Sequence, residues 1–350
     1  MGSVSSLRQP VRIGFYLCNR FTMIAMASAI EVLRMANQLS GETLYKWYTL
    51  SDDGNPVTAS DCISINADDK IPSQHELDIV IICGGLDIQK NCSPKVISWI
   101  AQQDRKHKTI GAICTGSYLL AKSGVMHDKS CSIHWENLAG FQEAFPTIRV
   151  SNKLFSFCEK RMTSAGGTAP MDMMLTMVSH EHGGRLSAAI SEMFMCERVR
   201  SSEDVQKVPL RNLIGTSQPK LLETVSLMEA NLEEPFAIDE LASLVQLSRR
   251  QLERLFQKHI QCSPSRYYLH LRLTRARQLL TQTNLSVIEI SIACGFVSTP
   301  HFSKCYRDYF GLPPREERQG LKQAPTAPSA PLSAPATELS NSANDEQIAI

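Results

Sequence analysis

The C-terminal third of this chain carries one pattern twice. The stretch IDELASLVQLSRRQLERLF places apolar side chains at Ile238, Leu241, Val245, Leu247, Leu252, Leu255 and Phe256. About fifty residues later, VIEISIACGFVSTPHFSKCY places them at Val287, Ile290, Cys294, Phe296, Phe302, Cys305 and Tyr306. The two sets align with one extra residue in the second copy's turn. Each copy reads as a short helix, a tight turn and a second helix. Ala242 and Ser291 are small enough for the second helix to approach closely. Leu247 and Phe296 plug the corners, and Gly295 supplies a backbone free to adopt positive φ. Ser248 and Ser298 stand where the second helices need an N-cap, and Pro300 is tolerable because it falls in a first turn.

With the apolar residues turned inward, Arg249, Arg250, Glu253 and Arg254 point outward from the first of these second helices. Thr299, His301, Ser303, Lys304 and Arg307 do so from the other. Side chains at a helix N-terminus reach base edges in a major groove, while the terminus itself favours phosphate. Between the copies, SRYYLHLRLTRARQLL forms a helix with an apolar seam (Tyr268, Leu271, Ala276, Leu279, Leu280) and the basic residues Arg272, Arg275 and Arg277. An ordinary helical bundle with surface arginines is the plainer reading. Two units in register, joined by a basic helix, argue for DNA instead. The DNA-contacting set expected here is Ser248, Arg249, Arg250, Glu253, Arg254, Arg272, Arg275, Ser298, Thr299, His301, Ser303, Lys304 and Arg307.

Residues 239–318 closely resemble the DNA-binding domain of AraC/XylS-family regulators, through RLTRARQLL, the IACGF corner and the closing GLPPREER. The resemblance implies two helix-turn-helix units in one monomer, entering successive major-groove faces ~34 Å apart. It also implies transcriptional activation through RNA polymerase and a homodimer on paired half-sites. Ser291, Pro300 and Glu317 depart from the family's usual residues, and none of them removes an outward basic side chain.

A chain of 350 residues suits two domains plus linkers, and 43% hydrophobic with 20% charged residues is a globular composition. The net charge of +1 gives no general attraction to nucleic acid, so a DNA surface must come from local clustering. MGSVSSLRQPVRIGFYL has no basic stretch followed by an apolar run, and no apolar run approaches the roughly 20 residues of a membrane span. A cytoplasmic protein without membrane contact is expected. Eleven scattered cysteines form neither a disulfide framework nor a structural zinc pattern, so reduced thiols and no metal are expected. His180 and His182 lie two apart with no further ligand, and Met171, Met173, Met174 and Met177 read as core.

Residues 11–185 alternate strands (Val11–Leu17, Tyr45–Ser51, Leu77–Cys83, Thr109–Ile113) with helices (Met23–Gln38, Pro94–Gln103, Thr115–Ser123). This predicts a parallel sheet flanked by helices. Ser93 is the expected N-cap of the second helix, with Pro94 in its first position. A helical connection over Leu186–Arg200 and a polar linker over Ser201–Gln218 follow, then helix from 219 to 318. From 321 to 350 an Ala/Pro/Ser tract reads as disordered.

HKTIGAICTGSYLLAKSGV runs strand, sharp turn at Cys114, helix: a nucleophile elbow. A helix N-terminus beside it would lower the thiol pKa and favour thiolate. His134 is placed to meet Cys114, and Gly84–Gly85 offers backbone N–H groups for an oxyanion hole. With IICGG, IHW and TSAGGTAPMDMML, this half resembles the class I glutamine-amidotransferase-like domain of the PfpI type. The resemblance implies a flavodoxin-like α/β parallel-sheet sandwich ahead of the all-α double helix-turn-helix, the arrangement of GlxA-like regulators. Catalytic relatives place a carboxylate where this chain has Ala25, and Glu31 lies further along the helix. A cysteine–histidine pair without that carboxylate is a poor hydrolase. A sensing domain without cofactor is therefore expected, with Cys114, His134, Trp135, Gly84, Gly85 and Phe21 as the ligand set. The resemblance implies a small nitrogenous effector, an amino acid or a quaternary amine; Phe21, Trp47 and Trp135 are candidates for an aromatic cage. The alternatives are a DNA-tethered cysteine hydrolase or amidase and a thiol redox regulator using Cys83, Cys92, Cys131 or Cys158.

Overall fold

The computed structural model describes residues 9–196, 198–206 and 218–323. Its first half is built from eleven strands. These are β1 (Val11–Leu17), β2 (Tyr45–Ser51), β3 (Val57–Thr58), β4 (Ser64–Ile65), β5 (Asp69–Lys70), β6 (Ile79–Cys83), β7 (Thr109–Ile113), β8 (Ser130–Ser132), β9 (Arg149–Ser151), β10 (Phe155–Cys158) and β11 (Arg161–Ser164). Seven of them form one sheet in the order β10-β11-β7-β6-β1-β2-β5, parallel except for β10. The helices are α1 (Met23–Ser40), α2 (Pro94–Arg105), α3 (Ser117–Lys122), α4 (Leu138–Ala144), α5 (Ala169–His182) and α6 (Gly184–Met193).

Alternation along the central strands feeds two cores. Ile13, Phe15, Leu17, Ile79, Ile81 and Cys83 face α1, α5 and α6, while Tyr16, Val80, Ile82, Ile110 and Ala112 face α2 and α3. Both faces are covered, as a parallel sheet requires. The expected strands and helices are present, and Ser93 caps α2 by accepting from the Val96 N–H at 3.3 Å. The helix expected over Leu186–Arg200 is shorter and begins earlier. It ends at Met193, and Ile190 is fully buried in the core, so α6 belongs to the α/β domain rather than to a connection. Beyond it Arg200 clamps the buried Asp172 carboxylate with its backbone N–H, Nε and Nη2 at 2.6–2.9 Å. Of the expected linker, residues 207–217 lie outside the described residues.

The second half holds α7 (Pro219–Ala230), α8 (Ile238–Leu244), α9 (Arg249–Ile260), α10 (Pro264–Gln282), α11 (Val287–Ala293), α12 (Thr299–Phe310) and α13 (Pro314–Gln323). Leu241, Val245, Leu252 and Phe256 close the first unit's core with Leu221, Val225 and Met228 of α7. Ile290, Cys294, Phe296, Phe302 and Tyr306 close the second. The long helix α10 serves both, with Tyr268 in the first core and Leu273, Ala276, Leu279 and Leu280 in the second. Helix α13 reaches Gln323, past the expected start of the tail at 321; residues 324–350 lie outside the described residues.

Candidate functional site

The paired helix-turn-helix units form as their apolar registers dictate. Ser248 accepts from Gln251 N–H while the Gln251 side chain accepts from Ser248 N–H, a complete capping box at the start of α9. Gly295 takes its corner at φ +72°, and Gln246 takes the matching corner of the first unit at φ +59°. Only the second corner demands glycine: a Cβ on Gly295 would lie 2.7 Å from the Leu232 and Glu233 carbonyls, where the second corner docks on the first unit's loop. Ser298 holds the N-cap position of α12 without a capping hydrogen bond. The extra residue of the second turn, Val297, is fully exposed.

The expected DNA set divides in the structure. Arg250, Arg254, Lys304 and Arg307 are exposed and make no ion pair with any described residue. Arg249 is tied to Glu253 at 3.0 Å and Asp239 at 3.1 Å, so Glu253 orients a basic side chain on the same face. Ser248 and His301 are exposed, and Ser303 and Arg275 are half-buried. Thr299 is turned partly inward, its hydroxyl 3.3 Å from Ser291 Oγ. Arg272 is a correction. Its Nε donates to the Cys294 carbonyl at 2.8 Å and its Nη2 to the Gly295 carbonyl at 2.6 Å, with the guanidinium 4.1 Å from the Phe296 ring centre. It braces the second corner from within.

In the α/β domain the turn after β7 is an elbow, with Cys114 at φ +58° in the left-handed region. Close backbone contact fixes it: a Cβ on Gly84 would lie 2.1 Å from Gly116 N, and one on Gly116 would lie 2.2 Å from the Ile82 carbonyl. Gly85 is equally confined, 2.0 Å from the Arg20 carbonyl. These glycines were expected to present an oxyanion hole; the Gly84 N–H instead donates to the Ile113 carbonyl at 3.1 Å. Around Cys114 Sγ stand two residues that the sequence reading missed. Thr22 Oγ1, at the N-terminus of α1, lies 3.3 Å away, and the Gly166 backbone packs so closely that a Cβ there would sit 3.1 Å from the sulfur.

The surroundings of Cys114 oppose the expected activation of its thiol. Burial pushes the Cys114 thiol up and the Glu136 charge adds to it, while hydrogen bonds from Thr22 and the Thr115 backbone only partly offset them. Cys114 is 6% exposed. Nor do Cys114 and His134 form a hydrogen-bonded pair: His134 Nδ1 lies 3.7 Å from Glu136 Oε2, and burial lowers its pKa. Phe21 is wholly buried in the sheet core, which removes it from an aromatic cage, and Trp47 packs half-buried against the same core. Trp135 is 37% exposed beside His134. At pH 7.5 iodoacetamide is expected to label Cys114 at least about tenfold more slowly than the exposed Cys62. Mass spectrometry of the two tryptic peptides measures the ratio, and equal rates would contradict a buried neutral thiol.

Comparison with known proteins bears on both halves. Residues 241–320 match a helix-turn-helix domain family and residues 12–180 the DJ-1/PfpI family. The transcriptional regulator GbdR of Pseudomonas aeruginosa is 58% identical over 313 residues, which is 89% of this chain and 85% of GbdR. The regulator CdhR of the same organism is 40% identical, covering 91% of this chain and 95% of CdhR. The regulator GlxA of Rhizobium meliloti is 32% identical, covering 91% of this chain and 99% of GlxA. The chain belongs to the GlxA-like AraC-type transcriptional regulators. This family is DNA-binding, and its members named here are regulators rather than enzymes.

A separate cavity of about 650 Å³ lies at the opposite ends of β7 and β11, lined by Arg105, Lys108, Lys129, Lys160 and Arg161 with Asp104 and Glu159. It is remote from the elbow and shares no residue with it. No helix among the described residues is long and apolar enough to cross a membrane.

Proposed function

We propose that the regulator activates transcription as a homodimer, recruiting RNA polymerase, in response to a small nitrogenous metabolite held at the carboxyl ends of β1, β6 and β7. The observation carrying this reading is Glu136. Its carboxylate pairs with no lysine or arginine among the described residues, has His134 Nδ1 as an ionic neighbour at 3.7 Å, adjoins the exposed Trp135, and its charge helps to raise the Cys114 thiol. A carboxylate faced by histidine but by no lysine or arginine, beside an aromatic face, suits an ammonium group. The position agrees with the general rule for open parallel sheets, in which ligands sit beyond the carboxyl ends where strand order reverses, here between β1 and β6.

The full chain is to be titrated with amino acids and quaternary amines by calorimetry, with Glu136→Gln as the comparison. At least about tenfold weaker binding of a cationic ligand by Glu136→Gln is expected. Equal affinity would remove Glu136 from the site. On the DNA side, Arg250→Ala, Arg254→Ala, Lys304→Ala and Arg307→Ala should each cost about 1–3 kcal/mol where a base is read. Where only phosphate is touched the loss is smaller and the salt slope falls by about one. Mobility shifts across operator variants and salt concentrations separate the two.

A further inference from the structure

Glu136, proposed above to hold the effector, also touches the DNA-binding half through its main chain. Helix α10 is where that half packs against the sheet domain, and its last residue, Gln282, makes the contact. Gln282 Nε2 donates to the Glu136 carbonyl at 2.7 Å, and the Gln282 carbonyl accepts from Gln89 Nε2 in the loop after β6. Gly140 on α4 is a glycine because of this contact: a Cβ there would lie 2.9 Å from Gln282 Cβ. Its neighbour Ala139 is buried in the second helix-turn-helix core beside Leu273 and Ile290. At the other end of the segment, Gln206 Nε2 donates to the Ile133 carbonyl at 2.8 Å and the Lys153 carbonyl at 3.0 Å. Residues 133–137 are thus pinned through main-chain carbonyls by the linker on one side and α10 on the other. Within this segment, Glu136 is near enough to Cys114 for its charge to raise the thiol.

We infer that this segment transmits effector occupancy to the DNA-binding half. Gln282 lies four residues before the Ser286 cap of α11, so a shift at the end of α10 moves the second unit against the first. The Glu136–Gln282 contact holds α10 to the sheet domain in an arrangement of low DNA affinity. A cation drawn onto the Glu136 carboxylate displaces the residue's own main chain, breaks that contact and frees α10. The assignment of the site to a cationic effector rests on the function proposed above; the mechanical link between residues 133–140 and α10 does not.

The test uses the full-length chain and operator DNA, with no effector present. Gln282→Ala removes the hydrogen bond, and Gly140→Ala, a substitution helix α4 accepts, wedges the same surfaces apart. Each should raise operator affinity about 5–10-fold, the range of ordinary allosteric coupling. By reciprocity, operator binding to the wild type should speed amide exchange over residues 133–140, and Gln282→Ala should abolish that change. Wild-type affinity in both variants, weaker binding in either, or exchange indifferent to DNA would overturn the inference. If these results hold while Glu136→Gln binds cations normally, the coupling stands and the effector assignment falls.

Discussion

Gly84→Ala is expected to destabilise the α/β domain by more than about 3 kcal/mol, against a fraction of that for Gly124→Ala. The ideal Cβ at Gly84 meets Gly116 N at 2.1 Å, the Thr115 carbonyl carbon at 2.6 Å and Thr115 Oγ1 at 2.6 Å. Two of those three are backbone atoms, so no side-chain rotation relieves the collision. The backbone has little freedom to yield, because β6 and β7 are paired in register up to Cys83 and Ile113, one residue before Gly84 and three before Gly116. Separating them means breaking the Gly84–Ile113 hydrogen bond and opening the end of the ladder. Gly124 has φ +80° but nothing within 4 Å of its Cβ, so its alanine variant isolates backbone strain from collision. All three tryptophans, Trp47, Trp99 and Trp135, lie in the α/β domain, so their fluorescence reports its unfolding. For a domain of this size the expected loss lowers Tm by roughly 6–12 °C. A shift no larger than that of Gly124→Ala would mean that the elbow is not held by backbone contact.

Much of this architecture is legible because the information is local and periodic. The apolar stripes of α8, α9, α11 and α12 recur at helical spacing, and strand alternation in β1 and β6 assigns side chains to two faces before any tertiary contact is known. The turn at Cys114 is legible too, since a strand followed by small residues and a helix leaves few ways to reverse direction. Its chemistry is not. A helix N-terminus lowers a thiol pKa only if the sulfur keeps solvent or positive charge nearby. The covering of Cys114 by Gly166 and Thr22 joins residues 52 and 92 positions away. Likewise the Glu136–Gln282 contact spans 146 residues and has no local signature. Gly84–Gly85 reads from sequence as a source of oxyanion donors because its backbone N–H groups follow a strand end, and the Gly84 N–H is indeed used. The partner turned out to be the protein's own backbone.

Arg272→Ala is expected to cost the DNA-binding half about 2–4 kcal/mol and to weaken operator binding without changing its salt dependence. A residue on a basic helix reads from sequence as a phosphate contact, yet Tyr268, Arg272 and Ala276 are spaced four apart and the two outer members are buried. That face points into the protein. Burial lowers the guanidinium pKa, and its two donated hydrogen bonds satisfy the Cys294 and Gly295 carbonyls where α11 ends. Removing it leaves those carbonyls unpaired and takes a flat cation off the Phe296 ring, so the corner that sets α12 against α11 loosens. Arg272→Lys should fail to restore stability, because an ammonium cannot span two carbonyls with one planar fork. The discriminating measurement is the slope of log Kd against log salt. A lost phosphate contact reduces it by about one, whereas a misplaced recognition helix weakens specific binding at an unaltered slope. A reduced slope with an undisturbed unfolding transition would return Arg272 to the DNA surface, and the brace at Gly295 would then have to be sought in the Leu232–Glu233 loop alone.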